Sequence, residues 1–166
     1  MRKLPRNLRL GAGAGLGVTV FGCLLASQLA WNLTDSLPRG LYARTLTRSR
    51  PQLGDIVAFD VPRSVSSLVY SRRYLPAGAQ LFKKVVAQPG DHVCIQAGMF
   101  EVNHRLVGPV LPADAQGNPL PFFGFCGVVP ADKYFVASEA PRSFDSRYFG
   151  PLPVEALSQL SPLWTY

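Results

Sequence analysis

Leu81-Phe82-Lys83-Lys84-Val85-Val86-Ala87-Gln88-Pro89-Gly90-Asp91 places two lysines inside an apolar, β-branched run that stops at a Pro-Gly turn signal. Such a run is a strand. Alternation with period two then sets Lys83 on the face of Leu81 and Val85, and Lys84 on the opposite face with Phe82 and Val86. Only one of the two can face a given site. Burial disfavours an ammonium and lowers its pKa, so an inward-facing lysine among Leu, Phe and Val is a candidate general base near neutral pH. Spacing alone leaves open which lysine that is.

The same punctuation continues outward from this stretch. Short strands are expected at Asp55 to Val61, Ala79 to Ala87, His92 to Ile95, Met99 to Asn103 and Tyr134 to Ala137, separated by Gly, Pro, Asn and Asp. The chain has 15 Gly and 15 Pro, and only Val154 to Leu160 suggests an apolar helical period, so a helical bundle is excluded and a mainly β domain follows. Residues 108–121 look like a loop or edge excursion, and no internal repeat is present. With 166 residues, 48% hydrophobic and 16% charged, the chain holds one modest domain plus an unusually apolar segment. Three cysteines without a Cys-x-x-Cys pair, and histidines only at 92 and 104, supply no ligand set for a metal site. No metal or cofactor is expected. His92 beside Asp91 suggests a Ser-His-Asp triad, but neighbouring strand residues face opposite ways, and a turn after Pro89-Gly90 suits them better. His104 is read as a hairpin-turn residue.

The apolar segment is the beginning of the chain. Arg2, Lys3, Arg6 and Arg9 precede it, and no charged side chain occurs from Leu10 to Trp31. About 20 apolar residues span a bilayer core as a helix, and cations ahead of the span keep the N-terminus cytoplasmic. The expected organisation is a basic tail at 1–9, a transmembrane signal-anchor at 10–32 with Trp31 at the interface, and an extracytoplasmic domain at 33–166. A cleavable signal peptide is the rival. The net charge of +7 is concentrated in the tail, where topology accounts for it, and nucleic-acid binding is not expected. Cys94 and Cys126 then lie where thiols oxidise and are a disulfide candidate, with two buried thiols as the alternative.

Two further segments stand beside the lysine strand: Asn32-Leu33-Thr34-Asp35-Ser36-Leu37-Pro38-Arg39-Gly40-Leu41-Tyr42 and Ser143-Phe144-Asp145-Ser146-Arg147-Tyr148-Phe149-Gly150-Pro151. Together the three resemble the type I signal peptidases. That family's lysine segment ends in Pro-Gly-Asp and opens with the general base, which selects Lys83 and puts Lys84 where an arginine is usual. Its serine segment, Ser-x-Ser-Met-x-Pro, is matched by Thr34-Asp35-Ser36-Leu37-Pro38, with Thr34 in place of the first serine and a shorter run to the proline. The resemblance makes Ser36 the nucleophile, and the Thr34 hydroxyl with the Ser36 backbone N–H the oxyanion donors. The closing motif implies supporting roles for Asp145, Ser143 and Arg147; its upstream Gly-Asp-Asn part is replaced by Ser138-Glu139-Ala140-Pro141. The short serine segment ending in Pro38-Arg39-Gly40-Leu41-Tyr42 is similar to the conjugative-transfer branch of the family, the TraF type.

That resemblance implies a membrane-anchored serine endopeptidase with a Ser36/Lys83 dyad, in a β-rich catalytic domain on the periplasmic side of a bacterial inner membrane. Its protein partner would be an exported precursor, a pilin subunit above all, matured by cleavage or cyclisation, and its other contact membrane lipid. A non-catalytic assembly factor keeping the fold is the alternative. A self-cleaving repressor relative would share the Ser/Lys chemistry, but its DNA-binding helices are missing here.

Overall fold

In a computed structural model the described residues are 28–32, 34–45 and 49–166. Residues 1–27, which hold most of the stretch read as a membrane anchor, lie outside them. Among the described residues no helix is long and apolar enough to cross a membrane. The last residues assigned to that anchor from sequence are instead a strand: β1, Leu29–Asn32, pairs antiparallel with β2, Gly40–Arg44. Trp31 sits on it half exposed, its ring 6.2 Å from that of Trp164.

The mainly β expectation holds. β3 (Ile56–Phe59), β4 (Leu81–Ala87), β9 (Lys133–Ala137), β10 (Leu152–Pro153) and β11 (Ser158–Thr165) join β1 and β2 in a seven-stranded sheet of order β1-β2-β11-β3-β4-β9-β10. The remaining strands, β5 (His92–Gln96), β6 (Met99–Val102), β7 (Arg105–Pro109) and β8 (Phe125–Val128), form a second sheet of order β7-β6-β5-β8. Cys94 and Cys126 face each other in the β5–β8 register and are joined as a disulfide. Asn103 and His104 both take positive φ, 49° and 63°, which makes the tight turn between β6 and β7. His104 is thus a turn residue, its ring stacked on that of His92. Asp91 is tied into the turn preceding β5, its carboxylate accepting from Gln88 N and Asn103 Nδ2.

Other elements also differ from the sequence reading. Val154 to Leu160 is not a helix beyond a single 3-10 turn at Val154–Ala156; it leads into β11, which inserts between β2 and β3. An unanticipated helix, α1 (Arg63–Ser71), lies between β3 and β4, with Val65 and Val69, one helical turn apart, buried against the sheet. A short helix, α2 (Ser146–Phe149), follows β9 and is capped by the Asp145 carboxylate accepting from Arg147 N.

The core follows the alternation in β4. Leu81 and Val85 lie in a cluster with Val57, Val69 and Val136, whereas Phe82 packs with Tyr42, Leu37 and Leu160 on the other side of the sheet. Lys83 shares the Leu81/Val85 side and is 1% exposed; Lys84 is half-buried and reaches Glu139, Nζ to Oε1 2.9 Å.

Candidate active site

Residues 34–39 lead into β2 as a loop, and Ser36 lies within it. The neck of the loop is the β1–β2 pair Asn32 and Gly40. Gly40 has φ +146°, and a Cβ there would stand 2.0 Å from the carbonyl oxygen of Trp164, so only glycine lets β11 lie this close to the loop. Tyr42 Oη donates to the Pro38 carbonyl, 2.7 Å, and braces the far side.

Lys83 meets this loop across 47 positions of chain. Its Nζ donates to Ser36 Oγ at 2.7 Å, and Thr34 Oγ1 lies 3.0 Å from the same hydroxyl. β3 and β4 fix the lysine by the Val57–Lys83 pairing. Burial lowers its pKa from 10.5 to about 8; the Asp145 carboxylate opposes that shift and the Arg147 guanidinium adds to it. A lysine in this state is neutral in a usable fraction of molecules near neutral pH, and its lone pair can take a proton from the hydroxyl it touches.

Asp145 and Arg147 are both brought to the site, but neither touches the serine or the lysine by a hydrogen bond. Their side chains, almost wholly buried, bond to one another, and Asp145 Oδ2 also accepts from Ser138 N at 3.2 Å. Ser138 in turn donates its hydroxyl to the Ser36 carbonyl. Asp145 therefore reaches the serine loop through Ser138, in the segment that replaces the family's Gly-Asp-Asn. Ser143 is buried, and its hydroxyl has no hydrogen-bond partner among the described residues. It lines a groove of about 360 Å³ together with Ser36, Lys83, Thr34, Leu81 and Phe144. Lys84 is turned away into its ion pair with Glu139, beside a more polar recess that also borders Ser36.

Sequence reasoning missed Asn32, Ser138 and Tyr42. Each acts on a backbone carbonyl or a neighbouring hydroxyl of the loop, which no motif spacing marks, although Asn32 and Tyr42 stand inside the quoted segment.

The geometry thus brings a serine hydroxyl to a buried lysine, with an apolar groove alongside. The chain belongs to the signal peptidase, peptidase S26 family, whose match covers residues 9–161. It is 35% identical over 163 residues to a probable conjugal transfer protein TraF of Sinorhizobium fredii, covering 89% of this chain and 85% of that one. It is 34% identical to the conjugal transfer protein TraF of Agrobacterium fabrum, covering 90% and 89% of the two chains. A solved signal peptidase I from Enterococcus faecalis aligns at 25% identity over 69% of this chain and 99% of its own, with a TM-score of 0.41.

Proposed function

We propose that this chain is a membrane-anchored serine endopeptidase in which Ser36 is the nucleophile and Lys83 the general base. The observation that carries the reading is the 2.7 Å contact between Lys83 Nζ and Ser36 Oγ, made by a lysine that is 1% exposed with its pKa lowered to about 8. Neutral Lys83 takes the Ser36 proton as Oγ attacks the scissile carbonyl. Negative charge then grows on the carbonyl oxygen beside the Thr34 hydroxyl and the Ser36 N–H. Collapse gives an acyl-enzyme, Lys83 hands its proton to the leaving amine, and water or an amine of the substrate resolves the ester.

The surroundings support an extended substrate. Among the described strands β1 is at an edge of its sheet, and a cleft of about 410 Å³ is lined by Leu29, Ala30, Asn32 and Thr34 together with Leu75, Gln80 and Phe82. A peptide added along that edge would deliver its carbonyl to Ser36. The uncharged run from Leu10 to Trp31 and the exposed Trp31, Trp164 and Tyr166 support a single-pass anchor holding the domain against the periplasmic face of the inner membrane. The relatives named as conjugal transfer proteins support a task in conjugation, and the motif resemblance makes that task pilin maturation, by cleavage or by cyclisation.

The test is the intact mass of the pilin precursor from membranes carrying the wild type, Ser36→Ala or Lys83→Ala. The wild type alone should yield a shortened product, and a further loss of one water relative to the linear product marks cyclisation. Equal masses in all three strains would replace the peptidase by a non-catalytic assembly factor.

A further inference from the structure

Asn32 ends β1, is 2% exposed, and uses its whole carboxamide on the serine loop. Its Nδ2 donates to the carbonyls of Thr34 at 3.1 Å, Leu37 at 3.0 Å and Pro38 at 3.1 Å. Carbonyls accept only, so the NH2 end must face them and Oδ1 must face Thr34. There Oδ1 accepts from Thr34 N at 3.1 Å and from Thr34 Oγ1 at 2.9 Å. A hydroxyl has one hydrogen, and that of Thr34 is taken. In the 3.0 Å contact between Thr34 and Ser36, Thr34 therefore presents a lone pair and Ser36 is the donor.

We propose that Asn32 is a positioning residue for the peptidase step: in the resting site it holds the Thr34 hydrogen away from the nucleophile, and it releases that hydrogen to the oxyanion. This rests on the Ser36/Lys83 reading. Once Lys83 is neutral the Ser36 hydrogen turns from Thr34 to the Nζ lone pair, which ends the Ser36–Thr34 hydrogen bond, and the proton passes to Lys83 as Oγ bonds to the carbonyl carbon. The Thr34 O–H, its hydrogen still covalently attached, then swings from Asn32 Oδ1 to the carbonyl oxygen that has gained the electron pair. On collapse it swings back. Asn32 exchanges no proton, and through Nδ2 it keeps the loop carbonyls still during the swing. Without Asn32 the Thr34 hydrogen points instead at the Ser36 oxygen lone pair that has to attack.

The experiment is a double-mutant cycle on kcat and KM, with the full-length chain in detergent and a quenched peptide copying the cleavage junction mapped on the precursor. Asn32→Ala and Thr34→Val should each lower kcat by roughly tenfold or more with KM held within about threefold, because only the transition state uses the swing. The double variant should stay within about threefold of the slower single variant, since Asn32 acts through Thr34. Thr34→Ser should recover most of the rate lost in Thr34→Val. If Asn32→Ala does not fold, Asn32→Leu, similar in shape and without an acceptor for the Thr34 hydroxyl, takes its place in the cycle. An unchanged kcat in the Asn32 variant, or losses that multiply in the double variant as for a residue that only braces the loop, overturns the inference while Ser36→Ala remains inactive. A wild-type chain that leaves the precursor uncut overturns the peptidase reading, and this one with it.

Discussion

Arg147 turns back on Asp145, two residues earlier, with Nε 2.8 Å from Oδ1 and Nη2 2.8 Å from Oδ2, both side chains almost fully enclosed. The guanidinium also donates to the carbonyls of Ser138, Pro109 and Pro141, so the pair ties β7, the 138–141 segment and α2 into one unit. Removing one charge leaves the other buried and unpaired, which costs about 3–5 kcal/mol. Asp145→Asn should therefore lower the free energy of unfolding in urea by that amount, with a matching fall in the midpoint. Asp145 raises the Lys83 pKa, so the same variant, where it folds, should move the pH limb of kcat toward acid. An unmoved midpoint would show that Asp145 carries no structural weight.

The rate should follow the neutral fraction of Lys83. With its pKa lowered to about 8, kcat should climb from pH 6 to about pH 9 and then level. Lys83→Arg should be inactive throughout, since a guanidinium does not deprotonate in this range. A kcat that is flat between pH 6 and 9 would remove Lys83 from the role of base.

Stability and activity should both rise with pH at Lys83, although the buried lysine itself costs stability. Its folded pKa of about 8 lies below the unfolded 10.5, so between those values the unfolded chain binds more protons and stability rises with pH. Below pH 8 the full cost of burying the charged form is present, roughly 3 kcal/mol from the size of the shift. Lys83→Met, which fills the same space without a charge, should melt higher than the wild type at pH 7 by up to about that amount while losing all cleavage. The gain should vanish near pH 11. A Met variant that melts lower at pH 7 would mean that the hydrogen bond to Ser36 outweighs desolvation.

What could be read in the sequence depended on whether a residue's task follows a period. Lys83 and Lys84 separated cleanly because alternation in β4 sends one to the core and the other to Glu139. α1 escaped because its nine residues bury only Val65 and Val69 among four serines, too short a pattern to register as a helical face. Val154 to Leu160 has helical spacing, but pairing with β2 and β3 on either side overrides it. Asp145 was visible as a residue, yet its partners, Arg147 and the Ser138 N–H, are set by how the 138–147 segment folds back on itself. Asn32 was not distinguished, because a carboxamide that serves backbone carbonyls leaves no spacing signature.

The disulfide separates stability from catalysis. Cys94 and Cys126 bridge β5 and β8 in the second sheet, whereas Ser36 and Lys83 are carried by a loop and a strand of the first. Closing a loop with a sequence separation of 32 restricts the unfolded chain by about 4 kcal/mol on the chain-entropy view. Cys94→Ser with Cys126→Ser should accordingly lower the free energy of unfolding in urea by up to that amount and leave kcat and KM near the wild-type values at temperatures where the chain stays folded. Because Val93 and Ile95 of β5 share an apolar cluster with Ala87 and Ala137 of the first sheet, a drop in kcat greater than the loss of folded protein would show that the second sheet sets the lysine strand's position.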